Sequence, residues 1–133
     1  MLKARPAKEV VVRVRNEIGV LAQLSRLVAD KGINILAACA WVEGGDGVVH
    51  LVTNDNLRVV DALRAKNYNP RESDVVLIES PHKPGLLRHV TDKLAGAGVD
   101  IHHLYATAGE TQDKCLIVFA SANNDHAIVL LNE

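Results

Sequence analysis

Two short loops carry the residues whose types and spacing suit binding chemistry. Asn16-Glu17-Ile18-Gly19 follows a valine-rich alternating run, and His82-Lys83-Pro84-Gly85 follows Val76-Leu77-Ile78-Glu79-Ser80. Each ends on a glycine that opens an amphipathic stretch. A helix starting there presents unbonded N–H groups and partial positive charge, which suits a carboxylate. Gly19 and Gly85 keep side chains away where a backbone must approach a ligand, and they equally serve the strand-to-helix turn itself.

Other chemistries fail on the residues they require. His102 and His103 are adjacent on a strand and point to opposite faces, so they cannot chelate together. His82 and His89 belong to no metal-ligand spacing, and neither a metal nor a cofactor is expected. Cys39 and Cys115 are too few for a disulfide framework or a four-thiolate zinc site and read as small buried hydrophobes. No Ser-His-Asp, Cys-His or paired-carboxylate grouping can be assembled, so the chain is not expected to be an enzyme. Fifteen basic side chains against sixteen acidic ones leave no bulk charge for nucleic acid or anionic lipid. Trp41, Tyr68, Tyr105 and Phe119 are too few to stack bases. The first eight residues lack the apolar core of a signal peptide, and no run approaches the ~18 apolar residues of a membrane span. With 48% apolar residues and a mean hydropathy of +0.07, the 133 residues can bury a core. The expected setting is the cytoplasm, with reduced thiols.

The elements that position both loops repeat. Gly19 and Gly32 recur as Gly85 and Gly98, each at an offset of 66, and Leu51-Val52 falls opposite Ile117-Val118 at that offset. Beyond this strand Val60 and Leu63 fit Ile128 and Leu131, which implies two extra residues near Asn123-Asn124. Val10, Val12 and Val14 alternate as a half-buried strand, and Val20, Leu24, Leu27 and Val28 form one helical stripe as far as Lys31. Ile33 to Trp41 is a strand, Glu43-Gly44-Gly45-Asp46 is hairpin-turn chemistry, and Val48 to Thr53 returns antiparallel. Asn56 is expected to cap a second helix that runs to Lys66, and Asn67 to Arg71 gives at best a short edge strand. The second copy reads as strand 75–80, helix 85–97, strand 99–107, a turn around Gly109 to Asp113, strand 115–120 and helix 124–131. The expected fold class is α+β: two ferredoxin-like βαββαβ repeats, 1–73 and 74–133, the second lacking its last strand.

Copper-chaperone and RNA-recognition versions of that fold need a Cys-x-x-Cys loop or strand aromatics, which are missing. The pattern of a polar residue, two positions, Gly, a helix, then Gly-x-Asn-Ile closely resembles the ACT domain, a regulatory module that binds amino acids. The second copy carries Pro84-Gly85 and Gly98-Val99-Asp100-Ile101; the first has Ile18-Gly19 and Gly32-Ile33-Asn34-Ile35. The tandem resembles stand-alone ACT proteins without a catalytic domain. The resemblance implies ligand contacts at Asn16, Glu17, Ile18, Gly19, Val20, Leu21 and Asn34. In the second copy they fall at His82, Lys83, Pro84, Gly85, Leu86, Leu87 and Asp100. Oxygen acceptors are needed for an α-ammonium, and Asn16 and Asn34 lie where the family places polar contacts; Asp100 can also pair with one. A further polar position of some relatives is Val14 here, with Ser80 as its counterpart.

The implied function is non-catalytic amino-acid sensing at ACT–ACT interfaces, with a metabolic enzyme or regulator as a further partner. The alternative is a protein-binding scaffold or regulatory subunit whose amino-acid site has decayed. A homodimer through the sheets is expected, because Val11, Leu77, Leu36 and Leu104 alternate away from the helix-facing stripe. Ligand affinity is expected mainly at the first copy's loop, which retains both Asn16 and Asn34.

Overall fold

A computed structural model describes residues 2–110 and 113–133. The elements run β1 (Lys3–Arg15), α1 (Val20–Asp30), β2 (Ile35–Glu43), β3 (Asp46–Thr53), α2 (Asn56–Arg64), β4 (Arg71–Pro81), α3 (Leu86–Gly96), β5 (Ile101–Ala108), β6 (Lys114–Ser121) and α4 (Asn124–Asn132). The chain divides into two compact units, Lys8–Ser73 and Met1–Ala7 with Asp74–Glu133. The architecture is α+β. None of the described helices is long and apolar enough to cross a membrane.

In the unit Lys8–Ser73, β3 pairs antiparallel with both β1 and β2. Alternation puts Val10, Val12 and Val14 on the helix side, where they meet Val49 and Leu51 of β3. Leu24 and Val28 of α1 and Val59, Val60 and Leu63 of α2 close this core. The other unit builds the same core from Val76 and Ile78, Ile117 and Phe119, Val90 and Leu94, and Ala127 and Leu131. Here β6 pairs antiparallel with β4 and β5.

The register of the repeat differs from the gap-free reading. Val10 pairs with Leu51 and Val76 with Phe119, so the offset is 66 in the first strand (10 to 76) and 68 in the third (51 to 119). Four residues separate the paired Val42 and Gly47, whereas six separate Ala108 and Cys115. The two extra residues therefore sit in the second hairpin turn, not near Asn123-Asn124. Apolar residues flank both alignments of this strand, so hydrophobicity alone does not distinguish a two-residue slip. Thr111 and Gln112, within the expected Gly109–Asp113 turn, lie outside the described residues.

Helix α2 is capped by Asp55 rather than Asn56: the Arg58 N–H donates to Asp55 Oδ1 at 3.3 Å. Asn56, the first helical residue, accepts instead from the N–H and hydroxyl of Thr53, and its amide donates to Lys8 O. Asn123, Asn124, Ser121 and Asp74 reproduce the whole arrangement at α4.

The second copy was expected to lack a strand, and its unit contains one from elsewhere. β1 begins at Lys3, well before the valine run, and the strand order places it beside β4. Its Lys3–Ala7 portion belongs to the unit with Asp74–Glu133. Ala4 is buried in that unit's core and Leu2 packs against it, while Arg5 meets Glu79 at 3.5 Å. The Asn132 side chain accepts from the Ala4 N–H and donates to the Ala4 carbonyl, both at 2.8 Å. Small Ala4 and ring-bearing Pro6 hide this strand from a reading that counts bulky apolar residues. Two of the four side chains expected on an exposed sheet face are also buried in the chain itself: Val11 is 6% and Leu77 2% exposed, against 47% for Leu36.

Candidate functional site

Both strand-to-helix loops share one backbone solution. Gly19 (φ 90°) and Gly85 (φ 87°) stand at the helix N-cap in the left-handed region, which disfavours any residue with a Cβ. The Val20 N–H donates to Glu17 O and the Gln23 N–H to Gly19 O; Leu86 to Lys83 and His89 to Gly85 repeat the pattern. That leaves the N–H groups of Leu21 and Ala22, and of Leu87 and Arg88, with no carbonyl one turn back inside the helix. Each loop is tied to its neighbouring hairpin, Asn16 N–H to Gly45 O at 3.0 Å and His82 N–H to Asp113 O at 2.6 Å.

The expected contacts do not all converge. Asn16 lies at the turn where β3 begins. Asn34 lies where β3 ends: its N–H donates to Asn54 Oδ1 at 3.1 Å, and Asn54 donates back to its carbonyl. The eight-residue β3 separates them by roughly 25 Å. The reason is topological, since a β-α-β crossover returns the chain to the sheet end opposite its loop. His82 and Asp100 are divided in the same way, with the Ala122 N–H on Asp100 O. Asn16, Glu17, Ile18 and Gly19 are all exposed, as are Leu21 and Asn34, while Val20 is half-buried against the core.

At the second loop a cavity of about 300 Å³ gathers Lys83, Pro84, Gly85 and Leu86 with Leu2, Ser80 and His89. His82, Leu87 and Asp100 do not line it; Asp100 instead approaches His102 at 3.9 Å. Ser80 was legible as the polar counterpart of Val14. Leu2 gave no signal, because nothing in the repeat assigns the N-terminal segment to this unit. His89 belongs to no metal-ligand spacing, so its place in the sequence does not single it out.

Among solved structures, the chain superposes on protein BT0572 from Bacteroides thetaiotaomicron with a TM-score of 0.88 and 27% identity, covering 97% of this chain and 88% of that one. It superposes on the ligand-free regulatory subunit of aspartate kinase from Thermus thermophilus with a TM-score of 0.70 and 11% identity, covering 98% and 94%. The corresponding subunit from Thermus flavus gives 0.65 and 14%, covering 99% and 94%. The chain has the fold of aspartate kinase regulatory subunits. The ACT resemblance carried by the two loops is thereby matched by the three-dimensional fold of the whole chain. No family model matches the sequence, and no curated protein does.

Proposed function

We propose that the chain is a non-catalytic cytoplasmic regulatory protein of two ACT repeats that binds a small amino acid. In sequence the repeats meet at residues 73 and 74, with Lys3–Ala7 acting as the last βαββαβ strand of the second. The observation that carries this reading is the twofold strand-to-helix loop, each with a left-handed glycine at the N-cap and helix-end N–H groups beyond it. These donors suit the α-carboxylate. Because Asn16 and Asn34 stand at opposite ends of one unit, a site that uses both draws them from two copies of the chain. That is the reason to propose a homodimer with ligand at the seam, whose occupancy biases packing against a metabolic enzyme.

A second reading is favoured by Ile18, which is fully exposed, with exposed Leu21 at the same loop and exposed Leu87 at the second loop. Exposed apolar side chains around both loops suit a protein-binding scaffold. Thermal-shift measurements with the twenty amino acids separate the two. Sensing predicts a raised melting temperature for one or two ligands, since a ligand bound only to the folded state stabilises it. No shift at millimolar concentration with any of them supports the scaffold. Light scattering tests the dimer: the expected mass is twice 14.4 kDa, and the single-chain mass refutes it.

A further inference from the structure

The cavity at the second loop has a chemical composition of its own. It lies wholly within the unit Met1–Ala7 with Asp74–Glu133. Leu2, Pro84 and Leu86 give it apolar wall, and Ser80, Lys83 and His89 give it polar groups. Ser80 is 4% exposed. Among the described residues its hydroxyl reaches only the adjacent Pro81 carbonyl, at 3.4 Å, beyond the range of a true O–H···O bond. A buried hydroxyl facing a cavity without a strong partner is a donor waiting for an acceptor. Lys83 has no ion-pair partner among the described residues. The N-terminus of α3 adjoins through Gly85 and Leu86, adding partial positive charge.

Every charged or dipolar feature of this lining thus favours an anion. Among the described residues no Asp or Glu lines the cavity. Asp100, the one acidic side chain expected to receive an ammonium in this copy, is exposed and engaged with His102. A zwitterionic amino acid would bring its ammonium into a site containing a lysine and no counter-charge. A carboxylate that lacks the ammonium meets no such penalty. A ketone in its place supplies a second acceptor, which suits a ring N–H of His89. The volume falls at the lower end of small-ligand pockets, and the Leu2–Leu86 wall suits a short aliphatic arm.

We propose that this cavity binds a small aliphatic 2-oxo acid, with Ser80 as buried donor, Lys83 as the charge and Leu2 as wall. The inference rests on reading the loops as ligand sites, yet it concerns a different ligand from the amino acid proposed above. Calorimetric titration of the full chain with 3-methyl-2-oxobutanoate and with L-valine, which share a carbon skeleton, tests it. The 2-oxo acid is expected to bind at least tenfold more tightly at the site that Ser80 controls. Ser80→Ala and Lys83→Gln are each expected to weaken it about tenfold, the lysine contribution fading with added salt. Lys83 is exposed, so the second variant remains informative if the first perturbs folding. No binding of the 2-oxo acid at about 10 mM, or parental affinity in Lys83→Gln at low salt, overturns the proposal. Valine binding equally well through Ser80 also overturns it, while leaving amino-acid sensing intact.

Discussion

Replacing Asn132 by alanine tests whether the N-terminal strand is structurally part of the unit it touches. The Asn132 amide makes two 2.8 Å hydrogen bonds to the backbone of Ala4, one as acceptor and one as donor. Ala4 is almost wholly buried, so its N–H and carbonyl have little access to replacement water. At about 1 kcal/mol net for each bond the loss is about 2 kcal/mol, rising toward ~4 if both backbone groups stay dry. For a chain of 133 residues that melts as one transition, the entropy of unfolding converts 2 kcal/mol into a fall of about 7 °C in melting temperature. Thermal melting by circular dichroism measures the fall, and amide hydrogen exchange at Ala4 and Arg5 localises it. A melting temperature within about 1 °C of the parent, with Ala4 still protected, would refute the assignment of Lys3–Ala7 as a structural strand of that unit.

Asn34→Ala is expected to weaken amino-acid binding about tenfold by calorimetry, because it removes a charge-assisted hydrogen bond to the ligand, while its exposed side chain has no hydrogen-bond partner among the described residues whose loss would disturb the fold. His50→Leu is expected to cost about 3 kcal/mol in urea unfolding, since it removes the 2.7 Å partner of Glu9, whose residue exposure is 0%. The Glu9→Leu/His50→Leu double variant should lose less than the sum of the single losses. Gly85→Ala, which meets no atom within 4 Å, should cost only the left-handed backbone strain, about 1–2 kcal/mol. Burial pushes the Cys115 thiol up from its usual range, so less thiolate is present at a given pH. Iodoacetamide at about pH 8 should therefore modify the half-buried Cys39 well before Cys115, as read by intact mass.

The repeat was legible because its signals are local: glycines at fixed offsets, alternating valines, and three- and four-residue apolar steps along the helices. Val12, Leu24 and Val28 stand in the core where those periodicities put them. What stayed hidden depends on three-dimensional closure. Ala4 is buried by its neighbours rather than by its own hydrophobicity, so a strand beginning at Lys3 left no apolar run to read. The position of the two extra hairpin residues is not legible in sequence, because valine and isoleucine recur on both sides of a two-residue slip. Asn16 and Asn34 look like partners in sequence, yet a helix that spans the sheet must separate them. Ser80 showed its polarity in sequence, but only the fold reveals that its hydroxyl is buried beside a cavity.

The stitching of Ala4 to Asn132 also orders events during synthesis. The two residues are separated by 128 positions, so the Lys3–Ala7 strand must wait for a helix made much later. Lys8–Ser73 is continuous in sequence and can complete its core while the ribosome is still translating the rest. The other unit cannot close until Asn132 has left the exit tunnel, and long-range closure of this kind is slow. Until then Leu2 and Ala4 lack the core against which they pack. A rearranged gene in which residues 2–7 follow Glu133 through a flexible linker would make this unit continuous as well, and would let it fold without that delay.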